Sequence, residues 1–234
     1  MSTGDISAIA ADKERIYANR GNRRLLALHR GAWGRVLDVG CGAGDNAAII
    51  RQEFEPSSID GITHSDAEAD IAGAHLDRCW VFDIERELPA EFAEHRFDTM
   101  LFSHVLEHLR EPADVLARFA ERLAPGGSIL IAVPNIVVWR QRLKVLRGSF
   151  DYEPVGLMDE THLRFITFRT AERVLLARAK DLTVTDKAVE GSVPLWWLRR
   201  HILPVAWSAS VDRWGERRWP TVAGGRIVIR AIKP

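Results

Sequence analysis

The chain has 234 residues, enough to bury a core without disulfide or metal staples. Its composition, 47% hydrophobic and 27% charged, excludes disordered and fibrous classes. Lys plus Arg and Asp plus Glu are equal at 32 each, so there is no global positive field to hold nucleic acid.

Two cysteines, Cys41 and Cys79, form no CxxC pair and read as free thiols in a reducing compartment. The opening MSTGDISAIAADKERI carries charge where a secretory signal needs an apolar run. The longest apolar run, SILIAVPNIVVW, is interrupted by Pro134 and Asn135 and is too short for a bilayer. These features predict a cytoplasmic protein.

Residues 5–30 are predicted helical with a basic end, within an N-terminal cap over 1–34. RVLDV predicts a first buried strand, and DNAAIIRQEF a helix with Asp45 as N-cap. SSIDGI predicts a second strand, and SDAEADIAGAHL a helix opened by Ser65 or Asp66. CWVF is a third strand ending at Asp83, and RFDTMLFS a fourth. EPADVLARFAERL is an amphipathic helix with Val115, Leu116, Phe119 and Leu123 on its apolar face. APGG predicts a turn and SILIAV a fifth strand. RTAERVLLARA predicts a further helix and LTVTDKAV a further strand. GRIVIRAI, the last strand, alternates in the manner of an edge hairpin partner. Strands alternating with helices predict one α/β domain over 1–234, built on a doubly wound, mostly parallel sheet.

VLDVGCGAGDN, residues 36–46, puts Gly40, Gly42 and Gly44 between a buried strand and a helix. Glycines let a ligand approach the backbone, beside the free N–H groups that open the helix. The dinucleotide fingerprint requires a glycine at position 45, where Asp45 would repel a pyrophosphate, and the absence of GK[ST] excludes a P-loop. Asp38 and Asp45 instead suit a ligand that brings its own cation, such as an amino-acid head group. A tight structural turn is the plainer alternative.

VLDVGCGAGDN, followed in order by GITHS, FDIERELP, FDTMLFSHVLEHL and LAPGGSILIAVPN, resembles the motif set of class I S-adenosylmethionine-dependent methyltransferases over residues 35–135. The resemblance implies a seven-stranded Rossmann-like sheet and S-adenosylmethionine as cofactor. It implies that Asp38 and the backbone of Gly40, Cys41, Gly42, Gly44 and Asp45 receive the methionine end. Asp83 matches the acid that binds the adenine amino group, with the Ile84 N–H facing the ring, and Ser103 ends the fourth strand beside the cofactor. The family's second strand usually ends in an acid that takes both ribose hydroxyls. Thr63 stands there, as in cyclopropane-forming members, and can make one such bond but not the bidentate charged one. Asp60, Ser65 and Asp66 are candidate substitutes.

SHVLEHL, beyond the fourth strand, holds His104, Glu107 and His108, which would share one face of a helix. His104 and His108 are candidate bases for a sugar or phenol hydroxyl. With His162 of DETHLRF, the same residues offer four possible ligands for a divalent metal. Methyltransferases acting on the 2′-hydroxyl of small-RNA ends carry a similar E-x-x-E-H and a later D-H-x-F, and bind such an ion. Here His104 replaces their first Glu, and the expectation is a metal-free base.

Downstream, PNIVVWRQRLKVLRGSFDYEPVGLMDETHLRFIT resembles a branch of bacterial methyltransferases associated with cell-surface polysaccharide and glycolipid synthesis. That implies an acceptor-side lid over 136–169 with Asp159, His162 and Arg164 at the acceptor. The acceptor would be a hydroxyl on a sugar, glycolipid or related small metabolite. An RNA 2′-O-methyltransferase and a non-catalytic cofactor-binding regulator or scaffold are the alternatives. Residues 190–220 read as a helical insertion with Trp196, Trp197, Trp207, Trp214 and Trp219, interleaved arginines, and Pro204 between two short helices. This composition suits peripheral contact with the inner face of a membrane, a sugar-binding wall, a dimer face or a cover over the sheet edge.

Overall fold

Alternation with period two along the central strands sends their side chains to opposite faces. In the computed structural model, which describes residues 20–86, 88–194, 201–202 and 204–234, these strands are β1 (Arg35–Val39), β4 (Phe97–Ser103) and β5 (Leu123–Pro134). Leu37, Val39, Met100, Phe102, Ile129 and Ile131 enter one hydrophobic cluster, while Val36, Leu101, Leu130 and Ala132 enter the other. Both faces are therefore buried, as a sheet with parallel strands requires.

The other described elements are α1 (Arg23–Leu26), α2 (Asp45–Glu53), β2 (Ser58–Thr63), α3 (Asp66–Ala72), β3 (Arg78–Val81), α4 (Ala90–Ala93), α5 (Pro112–Ala120), α6 (Trp139–Leu146), α7 (Ala171–Leu175), β6 (Thr183–Gly191), α8 (Val205–Arg218), α9 (Pro220–Ala223) and β7 (Gly224–Ile232). One seven-stranded sheet runs β3-β2-β1-β4-β5-β7-β6. β1 pairs in parallel with β2 and β4, β2 with β3, and β4 with β5. β7 is antiparallel to both β5 and β6, so the sheet is mixed. The last strand is also not at the edge. It lies between β5 and β6 because Ile227 and Ile229 fill one cluster while Val228 fills the other. Its arginines pair with acids of β6, Arg226 with Glu190 at 2.8 Å and Arg230 with Asp186 at 3.7 Å.

Several local expectations change. Gly44, at φ 84°, holds the N-cap position of α2, and Asp45 is the first helical residue. Its charge still favours the positive end of the helix. Ser65, not Asp66, caps α3 by accepting from the Glu68 N–H. APGG does not interrupt the chain before β5. It forms an irregularity inside that strand, with the Gly126 N–H donating to Lys233 O at 2.8 Å. Helix α7 stops at Leu175, short of the predicted end.

The described part of the N-terminal cap contains α1 alone, and residues 1–19 lie outside the described residues. So do Trp196 and Trp197 of the predicted insertion. Its second half is the single helix α8, which starts directly after Pro204 and packs at the end of β6. There Gly191 N–H donates to Glu216 Oε1 and Val193 N–H to Asp212 Oδ1, each at 3.0 Å. Gly215 permits the approach, since a Cβ would stand 2.0 Å from Val193 Cγ1. Trp207, Trp214 and Trp219 remain exposed. No helix among the described residues is long and apolar enough to cross a membrane.

Candidate active site

Beyond β1 the chain turns through Gly40, Gly42 and Gly44 at φ 69°, 54° and 84°. These are left-handed conformations in which an L side chain is strained. A Cβ on Gly40 would also stand 2.3 Å from Val105 Cγ2. The Cys41 N–H is bonded to Ile62 O at 2.9 Å, and its thiol turns into the core, 4.0 Å from Cys79 Sγ. Both thiols are free.

Asp38 is fully buried, and neither carboxylate oxygen has a hydrogen-bond partner among the described residues. Burial pushes its carboxyl up to about 7, opposed by the neighbouring Asn46 amide and reinforced by the charge of Asp45. A buried acid in this state needs a proton or a cation. The ammonium of an amino-acid head group supplies the cation, so the residues present fit the expected cofactor.

A cavity of about 900 Å³ opens at this loop. It lies where the strand order reverses, lined by Gly40 and Gly42 after β1 and by Ser103 and His104 at the end of β4. Arg20, Gly21 and Asn22 line another side. Asn22 fixes that segment by donating from Nδ2 to Ser103 Oγ at 3.2 Å and from its backbone to Asn46 Oδ1 at 2.8 Å. Glu190 and Arg226, paired across β6 and β7, form a further wall that sequence reading did not anticipate.

Asp38, Cys41, Gly44, Asp45 and Thr63 stand behind this cavity without lining it. Asp83 is exposed and lines a second cavity of about 1490 Å³ with Phe82, and His64 lines both. The Asp83 carboxylate closes its own turn, accepting from Glu85 N–H at 2.9 Å and pairing with Arg86 at 3.3 Å. Ile84 packs on the core, and its carbonyl accepts from Arg118 at 2.8 Å.

An acid does reach the cavity from the first turn of α3. Thr63 Oγ1 donates to Glu68 Oε2 at 2.6 Å, and Glu68 is buried and lines the 900 Å³ cavity. None of the expected substitutes does so. Asp60 faces Trp80 and a separate cavity of about 400 Å³, Asp66 is exposed, and Ser65 caps the helix. The S-x-x-E spacing was the readable signal. A capping box would assign the Glu side chain to the Ser65 N–H, whereas here the Thr63 hydroxyl accepts from that N–H and donates to the Glu68 carboxylate.

On the other side of the cavity, His104 has φ 59° and is the one non-glycine at positive φ among the described residues. The residues after it form a 3-10 turn, Leu106–His108, rather than an α-helical face. His104 Nδ1 lies 3.0 Å from Glu107 Oε1, and Nε2 is buried without a protein partner. Glu107 has no exposed surface. Burial opposes its ionisation, yet the His104 N–H and the surrounding imidazoles hold its carboxyl below the usual range. The lid is fastened to this turn, because the Leu163 and Arg164 N–H groups both donate to Glu107 O, at 2.9 and 3.0 Å. That contact brings Asp159, Thr161 and His162 to the cavity wall. Arg164 does not line it, since its guanidinium is held by Arg110 O and Glu111.

Comparison with known proteins agrees with this geometry. The sequence matches the family described as "Methyltransferase domain" over residues 11–184. It is 28% identical over 161 residues to the ubiquinone biosynthesis O-methyltransferase of Shewanella halifaxensis, covering 65% of this chain and 64% of that one. It is 31% identical over 102 residues to the trans-aconitate 2-methyltransferase of Delftia acidovorans, covering 43% and 38%. The chain thus spans less than two thirds of the length of these relatives. In fold it is similar to the N-methyltransferase NodS of Bradyrhizobium japonicum, a complex with S-adenosylhomocysteine, at TM-score 0.55 and 16% identity over 91% of this chain and 85% of that one. A SAM-dependent methyltransferase of Archaeoglobus fulgidus matches at TM-score 0.57 and 17% identity over 89% and 90%. The glycine loop, the buried unpartnered Asp38 and the match over most of the sequence place this chain in the class I S-adenosylmethionine-dependent methyltransferase family.

Proposed function

We propose that the protein methylates an oxygen, the hydroxyl of a sugar, glycolipid or related small metabolite. The cofactor supplies a methyl group on a sulfonium, and transfer is an in-line displacement that depends on positioning and on removal of the acceptor's proton. Asp38 holds the cationic head group. The left-handed glycines keep side chains away from the ligand, and Glu68 with Thr63 offers oxygens to the ribose. His104 supplies the proton acceptor. Its Nδ1–H is fixed on the buried Glu107 carboxylate, which leaves the lone pair on Nε2. The observation that carries this reading is that constrained His104, in the same cavity as the glycine loop.

The O-methyltransferase name of the Shewanella relative supports an oxygen acceptor, and the equal numbers of acidic and basic residues weigh against RNA. The test is transfer of labelled methyl to a panel of glycan precursors, glycolipids and phenolic hydroxyls, with His104→Ala in parallel. Transfer to a hydroxyl that falls roughly 10²–10⁴-fold in the variant, with cofactor affinity kept, supports the reading. Transfer only to nitrogen or carbon acceptors overturns it.

A further inference from the structure

We propose that Glu107, His108 and His162 form a binding site for one divalent first-row transition-metal ion of the zinc class, at the acceptor end of the cavity. One ligand atom from each of the three residues can be chosen so that all lie within 4.8 Å of one another. The two imidazole rings are 4.7 Å apart between centroids, at 63°.

The hydrogen bonds around the cluster fix which atoms keep a free lone pair. Thr161 Oγ1 lies 2.7 Å from Asp159 Oδ1, and that oxygen also accepts the Thr161 N–H at 2.9 Å. An ionised carboxylate carries no proton, so the hydroxyl proton of Thr161 must point at Asp159. Thr161 Oγ1 is then an acceptor toward His108 Nδ1 at 2.9 Å, and His108 carries its proton on Nδ1. His162 Nδ1 faces the Leu157 carbonyl at 3.3 Å, which also only accepts. In its neutral form each ring therefore carries its lone pair on Nε2. Glu107 Oε1 takes the His104 N–H, and its Oε2 is buried with no partner among the described residues.

Each of the three residues thus has a lone pair free of protein partners in one partly buried cluster. For the buried Glu107 Oε2 that is costly unless a cation or a hydrogen-bond donor reaches it. Two imidazoles and one carboxylate match the donor set of zinc and related ions, not that of magnesium or calcium. The Asp159–Thr161–His108 chain is the kind of outer hydrogen bonding that orients a metal-bound imidazole. All three ligands line the cavity, so an ion held by them keeps open positions toward an acceptor. On the O-methylation reading, an acceptor hydroxyl bound there loses its proton more readily, and the proton passes to His104 Nε2.

The test is metal binding, independent of turnover. The full chain, stripped with a chelator and dialysed, is titrated with Co2+ and followed by its visible absorption. One equivalent should bind, Zn2+ should displace it, and Mg2+ should not. His108→Ala and His162→Ala should each abolish the band, and Thr161→Val should weaken Co2+ binding by roughly 10–100-fold, as a lost outer partner does. His201→Ala, at an exposed position, should bind as the parent does. S-adenosylhomocysteine affinity, measured on every variant, reports that the fold and the cofactor half persist. No stoichiometric Co2+ or Zn2+ in the parent, or unchanged binding in His108→Ala and His162→Ala, overturns the site. If metal binding fails while S-adenosylhomocysteine still binds, the metal site alone falls. If S-adenosylhomocysteine does not bind the parent chain, the methyltransferase reading falls.

Discussion

The loops after β1 and after β4 meet in one cavity and are built on opposite principles. The first is bare. Three left-handed glycines leave backbone for a ligand, and its main charged group, Asp38, stands in the strand behind it. The second is crowded with side chains, His104, Glu107 and His108, and is completed by Thr161 and His162 from more than fifty residues away. A cofactor shared by a whole family is held by conformation, which a short stretch of sequence encodes. An acceptor is held by side chains that only the folded lid assembles.

The largest expected effect breaks the bare loop. Gly40→Val puts a branched side chain at φ 69° and into Val105, so cofactor binding by calorimetry should fall below detection. Retained affinity would mean that the loop does not approach the ligand. Next, on the crowded side, is His104. His104→Gly relieves the left-handed backbone but leaves the buried Glu107 carboxylate without the imidazole N–H, so stability should fall by about 1–3 kcal/mol while turnover falls roughly 10²–10⁴-fold. Denaturant unfolding beside an initial-rate assay checks both, and a variant that keeps its stability or its turnover contradicts the assignment.

Asp38 connects stability to pH. Its native carboxyl titrates near 7, above the ordinary value, so the free protein binds more protons than the unfolded chain between about pH 4 and 7. Stability of the cofactor-free protein should therefore fall as pH rises across that window and level off above it. Asp38→Asn should flatten this dependence and stabilise the free chain above pH 7 by roughly 2–4 kcal/mol. Cofactor affinity of the parent should strengthen as pH rises through 7, with a proton released on binding, and the variant should bind far more weakly. A parent affinity that is flat from pH 5 to 8 would rule out an Asp38 that starts protonated.

The smallest effect sharpens the border between the two loops. Glu68→Gln should weaken cofactor binding by about 1–3 kcal/mol, as for a lost charged hydrogen bond, while Asp66→Asn should do nothing measurable. Equal losses in both would point to helix α3 as a whole instead of the Glu68 carboxylate.

The same division explains what was legible beforehand. β1, the glycine loop, α2 and β4 were readable because period-two burial and glycine spacing are local. The place of β7 was not, because its alternation suits an edge and only pairing with both β5 and β6 shows it to be interior. Glu68 was not among the substitutes read from the sequence, because its approach to Thr63 depends on how α3 packs beside β2. Arg164 was expected at the acceptor with the rest of the lid, yet its guanidinium is held by Arg110 O. The histidines were named, but a spacing gives no tautomers. Those depend on Thr161, Leu157 and Asp159, which the sequence places far from His108.

The account's central claim is that the two halves of the cavity are separable, one for the cofactor and one for the acceptor. Calorimetric titration of S-adenosylhomocysteine into the parent, Asp38→Ala, His104→Ala and His162→Ala tests it in one series. The account predicts loss of binding in Asp38→Ala and parental affinity in both histidine variants. Parental affinity in Asp38→Ala, or loss in the folded histidine variants, would contradict it.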